Sequence, residues 1–416
     1  MVSITMISII RHSDIERWKN TGKWVIVYGR RKVGKSYFVR NYTKWDKYYF
    51  VGRSRNIFVN NERISYESFS REVLQSLERG ETIVVDEIQR LPEEFLDALH
   101  NLGVKGQLVA IVSTLWLTKE ILGRSSPLLG LFSEFKMGLI DERDILKNLH
   151  EHIRHPKKLI EYATFLREPW LFLILEKSED IFESLPNTVR LTVPSLIGEI
   201  FSEEERTYSR TYDAILKAIA DGKQISTEIA SYLYSLKLIP AEDPSLVQPY
   251  LKILENIGLI EKEKIYGKNK YYYKHLSPVT DYYYYLDVKY GISEREIQPL
   301  QARRVLEEKI PRYVEQFMTK LLSKIMGFWA EKIVEKDYEI DVALTDFKKL
   351  KAIAEIKWKK ELADKELRRI EEKFEKYSCR KILIVPDAST LPRQLKELEV
   401  WDVDTILGYI LNNKIS

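Results

Sequence analysis

Short apolar runs recur along the first 145 residues, separated by stretches in which apolar positions repeat every three to four residues. Trp24-Val25-Ile26-Val27-Tyr28, Thr82-Ile83-Val84-Val85 and Gln107-Leu108-Val109-Ala110-Ile111-Val112 have the length and branched content of strands buried on both faces. Helical patterns lie between them, so residues 1–145 predict a parallel sheet flanked by helices. A lead-in helix is expected over Ile10 to Trp18, and Gly123-Arg124-Ser125-Ser126-Pro127-Leu128 breaks the chain after the third run.

Residues 146–205 turn helical, as in Leu159-Ile160-Glu161-Tyr162-Ala163-Thr164-Phe165-Leu166 and Leu171-Phe172-Leu173-Ile174-Leu175, and predict a small helical lid. Residues 206–295 predict a winged helix-turn-helix. Its first helix, from Tyr212 to Ala220, stops at Asp221-Gly222. The second starts at Ser226 with Glu228 in its first turn, and the third runs from Ser245 to Leu254 and ends at Ile257-Gly258. A strand from Ile260, a basic turn (Tyr266-Gly267-Lys268-Asn269-Lys270) and a strand from Tyr271 follow as the wing. Residues 300–416 carry two further strands, Tyr338 to Leu344 and Ala352 to Trp358, joined by a polar turn. The fold class expected is α/β and multidomain.

At 416 residues the chain is too long for one core. Its net charge is only +4, which excludes a highly basic coating protein and leaves local patches to make any nucleic-acid contact. Cys379 is the single cysteine, so there is no internal disulfide and no cysteine zinc site, as suits a reducing cytoplasm. The N-terminus lacks the basic start and cleavage site of a signal peptide, and no apolar stretch reaches about 18 residues. Neither export nor a membrane span is expected.

The strand from Trp24 runs into Gly29-Arg30-Arg31-Lys32-Val33-Gly34-Lys35-Ser36 and then a helix opening at Tyr37, a complete phosphate-binding loop in its required context. Gly29 and Gly34 let the backbone curl its N–H groups towards phosphates at a helix N-terminus. Lys35 is expected to reach the β- and γ-phosphates, and Ser36 to offer its hydroxyl to Mg²⁺. ATP and Mg²⁺ are the cofactors this implies, with the nucleotide lying on Gly29, Arg30, Arg31, Lys32, Val33, Gly34, Lys35, Ser36 and Tyr37. The second strand ends in Asp86-Glu87: Asp86 belongs to the Mg²⁺ shell and Glu87 polarises the attacking water. Ser113-Thr114 ends the third. Thr114 either senses the γ-phosphate or simply closes the strand, and Arg124 either reaches a neighbouring subunit's nucleotide or lies in a surface loop.

A second constellation occupies the last block. Asp341 on one strand, with Glu355 and Lys357 on one face of the next, is the pattern of PD-(D/E)xK nucleases. Asp341 and Glu355 are expected to share a Mg²⁺ that activates water, with Lys357 orienting it, and Glu315 on an upstream helix is the candidate third acid. The winged helix either lays its third helix in DNA while wing lysines hold phosphates, or serves as a rigid coupling module. The Tyr282-Tyr283-Tyr284-Tyr285 run is either a stacking surface or a packing element.

The order of these blocks resembles the archaeal P-loop ATPase family, a branch related to AAA+ and STAND ATPases. The likeness is carried by Gly29 to Ser36, by Val85-Asp86-Glu87-Ile88-Gln89, by the Tyr212 to Gly222 segment, and by Asp341 with Glu355-Ile356-Lys357-Trp358. It implies an ATPase core joined to a winged helix and a nuclease-like domain, with duplex or branched DNA and further copies of the chain as partners. Where the family commonly shows Ser-Pro-Leu-Tyr-Gly-Arg, this chain reads Ser126-Pro127-Leu128-Leu129-Gly130-Leu131 and lacks the arginine. Three functions stay open: an ATP-driven DNA-processing enzyme that cuts through its last domain, a STAND-like signalling switch with an inactive nuclease-like domain, and a nucleotide-modulated DNA-binding regulator.

Overall fold

The computed structural model describes residues 9–112, 128, 130–175, 180–203 and 208–412. Thr114, Ser113 and Arg124 lie outside the described residues. The first described block opens with α1 (His12–Trp18), β1 (Trp24–Tyr28), α2 (Lys35–Tyr42), β2 (Lys47–Val51), β3 (Ile57–Val59) and β4 (Glu62–Ile64). It continues with α3 (Tyr66–Glu78), β5 (Thr82–Asp86), α4 (Glu93–Leu102), β6 (Gln107–Ile111) and β7 (Ser133–Lys136). Among the described residues these strands form a seven-stranded sheet in the order β4-β3-β2-β5-β6-β1-β7. In that order every pairing from β2 to β7 is parallel, and only β3 runs the other way, paired antiparallel to β2 and β4. The apolar runs are buried on both faces, as continuous hydrophobic strands must be.

Helices α5 (Glu142–Leu149), α6 (Pro156–Leu166) and α7 (Ile181–Glu203) follow. Next come α8 (Arg210–Ala220), α9 (Ser226–Ser235) and α10 (Gln248–Asn256), then a hairpin of β8 (Ile260–Lys264) and β9 (Tyr271–His275). The chain continues through α11 (Pro278–Tyr290) and α12 (Pro299–Met326) into β10 (Trp329–Val334), β11 (Glu339–Asp346) and β12 (Lys349–Ile356). It ends with α13 (Asp364–Glu375), β13 (Arg380–Ile384), β14 (Glu399–Trp401) and α14 (Val403–Leu411). The last five strands form a sheet in the order β10-β11-β12-β13-β14.

One apolar core runs from Ile140 to Ile410. It joins the helices after β7, the three-helix block, α12 and one face of the five-stranded sheet. The other face of that sheet packs against α13 in a separate apolar cluster around Ile340, Ala343, Ile353, Leu367 and Phe374. Helix α12 carries much of this union. Its Lys320 pairs with Glu261 of β8 at 2.6 Å, and its Lys324 pairs with Asp141 at 2.8 Å and with the fully buried Glu142.

The hairpin differs from a free basic wing. Tyr266 N donates to Lys332 O at 2.8 Å and Lys264 pairs with Glu331 at 2.9 Å, so the hairpin lies against edge strand β10. Lys268 pairs with Glu335, Lys262 with Glu255 and Lys274 with Glu263. Four of the hairpin's lysines thus meet the protein's own acids, while Lys270 of the turn is exposed. The tyrosine run is likewise a packing element: Tyr282 and Tyr284 are buried on α11, with Tyr282 donating to Ala302 O at 2.8 Å.

Asp144 on α5 shows the electrostatic cost of such burial. It accepts from Ser13 N at 2.9 Å and Ser13 Oγ at 3.1 Å, tying α1 to α5. Burial, reinforced by Asp141, pushes its carboxyl up to about 6. The folded chain thus holds a proton between pH 4 and 6 that the unfolded chain has released, and stability from this group falls as pH rises through that window. Asp144→Asn is expected to be more stable than wild type at pH 8 by roughly 1–3 kcal/mol, with little gain at pH 4.5. Urea unfolding at the two pH values checks this.

Candidate functional site

β1 delivers the phosphate loop. Gly29 sits at φ 151°, and a Cβ there would lie 2.0 Å from Met137 O, so only glycine lets β1 meet the end of β7. Lys32 and Gly34 also take positive φ, turning the loop into α2. Arg11 locks it from below: its Nη1 donates to Val33 O at 2.7 Å and its Nη2 to Gly138 O at 2.9 Å.

Lys35 is buried and donates to the carbonyls of Gly29 and Arg30 at 2.8 and 3.1 Å. Burial brings its ammonium down to about 8, against the pull of Glu87 and Asp86. An anion in the loop would restore the charge. Because β6 lies between β1 and β5, the loop and the end of β5 open on the same sheet edge, and Asp86 comes to Ser36. Burial raises the Asp86 carboxyl, while hydrogen bonds from Tyr48 and Ser36 hold it down. Its Oδ2 accepts from Tyr48 at 2.5 Å, and its Oδ1 is buried with no hydrogen-bond partner. That orphaned oxygen beside the Ser36 hydroxyl fits a hard divalent cation.

Glu87 adopts the left-handed conformation at φ 64°. Its N–H donates to Ile111 O at 2.9 Å, and its carboxylate is held by Gln89 at 2.7 Å and Arg90 at 3.0 Å. Arg90 in turn donates to Val51 O. This fixes Glu87 just past the strand end that carries Asp86.

The side chains of the loop's two arginines are engaged by acids of the protein itself. The Arg30 side chain turns away from the loop's mouth and pairs with Glu168 at 2.5 Å, both groups being almost fully buried. Arg31 pairs with Glu199 of α7 at 2.6 Å. Lys32 and Tyr37 are exposed. Beside the loop, a cavity of about 250 Å³ is walled by Gly29, Arg30 and Val33, by Met137 to Leu139, and by Glu255 and Gly258 of the three-helix block.

The C-terminal constellation is assembled on β11 and β12, with a difference. Glu355 is buried; its Oε1 takes Lys357 at 2.7 Å and Lys373 at 2.8 Å, while its Oε2 has no hydrogen-bond partner. Asp341 Oδ2 accepts from Ile356 N at 2.8 Å. Burial, and then repulsion from Glu315 and Glu355, raises Asp341 to about 7. Glu315 is pushed up by burial but pulled down overall by Lys332, which it meets at 3.2 Å. Among the described residues no group of three or more His, Cys, Asp or Glu is placed to hold a metal ion. Beside Asp341, Glu315 is engaged by Lys332, and Glu355 by Lys357 and Lys373. Lys373 was not legible as a member. It comes from α13, and only the packing of that helix on the sheet brings it in.

Residues 21–155 match a family model described as an AAA domain. This part of the chain is similar to AAA domains, and it holds the phosphate loop and the Asp86-Glu87 strand end. Among solved structures, the Walker-type ATPase PABY2304 of Pyrococcus abyssi aligns over 67% of this chain and 96% of its own, at 18% identity and a TM-score of 0.50. The two share a fold. The Aeropyrum pernix ORC2 protein in its ADPNP-ADP complexes aligns over 74% of this chain and 93% of its own, at 9% identity and a TM-score of 0.38. The Aeropyrum pernix ORC1 protein in complex with DNA gives 15% identity, 71% and 94% coverage, and a TM-score of 0.31. No curated protein matches the sequence. No described helix is long and apolar enough to cross a membrane.

Proposed function

We propose that the chain is a Mg²⁺-dependent ATPase that couples nucleotide turnover to the processing of DNA. The meeting of Lys35, Ser36, Asp86 and Glu87 at one sheet edge carries the first half. The loop from Gly29 to Ser36 holds the phosphates, and Lys35 neutralises charge as it builds on the transferred group. Ser36 and Asp86 would hold Mg²⁺, which would supply positive charge to screen the phosphate oxygens. Glu87 accepts the proton of the attacking water. The 250 Å³ cavity beside Gly29 accommodates the nucleoside end.

The coupling is supported by a chain of buried charge. Arg30 pairs with Glu168, and the neighbouring Arg167 pairs with Glu142 at 2.8 Å, which also takes Lys324 of α12. The same helix presents Glu315 towards Asp341. A shift at the phosphate loop thus reaches the last sheet through one rigid helix. We read α8 to β9 as a winged helix used as this coupling element, since its hairpin docks on β10 through Tyr266 and Lys264, and the last block as nuclease-like. Two buried acids repelling each other beside Lys357, one with an orphaned oxygen, are what a divalent cation would relieve.

The shared core after Ile140 favours a second reading, an ATP-dependent switch whose last domain no longer cuts. A cleavage assay separates them: wild type and Asp341→Ala, with Mg²⁺ or Mn²⁺, with and without ATP, on duplex, single-stranded and branched DNA. Cleavage by wild type that falls at least a hundredfold in Asp341→Ala is expected. No cleavage on any substrate overturns the cutting role and favours the switch.

A further inference from the structure

Phe347 stands at φ 53° in the two-residue turn between β11 and β12, and 94% of it is exposed. Both facts are unfavourable. The left-handed region suits Gly, Asn or Asp, and a bulky residue there is an outlier. An aromatic ring left in water gains nothing from burial. Folding does not explain this residue, and strain of this kind accumulates where a surface is used.

Its surroundings indicate the use. Trp329, 76% exposed, pairs with Thr345 across the β10–β11 ladder. It is thus a diagonal neighbour of the turn, within reach of an aromatic side chain. Lys348, Lys349 and Lys351 are exposed around the same turn, and the single acid among them, Asp346, is engaged by Lys351 at 3.5 Å. α13 covers the sheet over Ile340, Ala343 and Ile353 but leaves this end open. Two rings among three lysines make a positively charged stacking platform. The excess of cations disfavours a second copy of the chain, whose like charges would meet.

We propose that the Phe347 turn and Trp329 bind a single-stranded nucleic acid, its bases stacking on the two rings and its phosphates meeting Lys348 and Lys349. The site lies at the far end of β11 from Asp341, six residues or about 20 Å away at ~3.3 Å per residue. The inference rests on the DNA-processing reading only for the kind of partner.

The test is fluorescence anisotropy of the full chain with a labelled 20-nucleotide single strand, its duplex, and anionic lipid vesicles as a competitor. The variants are Phe347→Asn, Trp329→Ser and Lys348→Glu with Lys349→Glu. Phe347→Asn and Trp329→Ser are each expected to weaken single-strand binding roughly five- to a hundredfold. The thermal midpoint of Phe347→Asn should stay level or rise, because Asn tolerates the turn. The lysine double variant should flatten the salt dependence by about one to two phosphates. Single-strand binding that none of the variants alters overturns the assignment, as do vesicles that displace the strand and a dimer lost in Phe347→Asn. Wild type that binds duplex alone overturns it while leaving the proposed function standing. Failure to bind any nucleic acid overturns both.

Discussion

Glu87→Gln should bind ATP with wild-type affinity and hydrolyse it two to three orders of magnitude more slowly. The expectation follows from what the substitution keeps. Gln retains the shape of the side chain and a carbonyl oxygen for Gln89 and Arg90, which hold the carboxylate at 2.7 and 3.0 Å. It removes the group that takes the water's proton, and a positioned general base contributes roughly 10²–10⁴-fold. Lys35, Ser36 and Asp86, which meet the phosphates and Mg²⁺ in this account, are untouched. Nucleotide binding by calorimetry beside steady-state turnover reads both halves. Turnover at the wild-type rate would remove Glu87 from the chemistry, and a parallel loss of binding would mean that the strand end itself had collapsed.

The second large effect is structural. Glu168→Ala should destabilise the chain by about 3–5 kcal/mol, the usual consequence of removing one partner from a buried ion pair. Arg30 Nη2 meets both oxygens of Glu168, at 2.6 and 2.5 Å, while Arg30 Nε and Nη1 have no hydrogen-bond partner at all. Without Glu168 the guanidinium is left buried and uncompensated. Replacing both residues, Arg30→Met with Glu168→Leu, should recover most of the loss, because desolvation of the pair offsets much of its attraction. Urea unfolding of the single and double variants checks both statements. A single variant as stable as wild type would mean that Arg30 escapes to solvent and does not anchor the loop to the helices after β7.

The phosphate loop and the Asp86-Glu87 strand end were legible because their chemistry is local: a strand, a fixed spacing and a helix start. That Asp86 reaches Ser36 depends on β6 lying between β1 and β5, a long-range pairing that the motif presupposes without showing. Arg30 could not be read. Its motif position accepts any residue, and its partner lies 138 residues away. The hairpin lysines read as a free basic turn because nothing local announces that β10 will dock on them. Asp341, Glu355 and Lys357 were legible as adjacent strands in alternating register, yet Lys332 and Lys373, which neutralise the neighbouring acids, arrive only through tertiary packing. Phe347 escaped notice since a lone phenylalanine in a polar turn has no pattern. Its meaning appears only with its backbone angle and exposure.

The most direct test of the central claim is steady-state ATP hydrolysis by the full chain, with Mg²⁺ and with the metal chelated, beside Lys35→Ala. Mg²⁺-dependent turnover is expected, abolished together with ATP binding in Lys35→Ala. Turnover that persists in Lys35→Ala, or wild type that neither binds nor hydrolyses ATP, would contradict it.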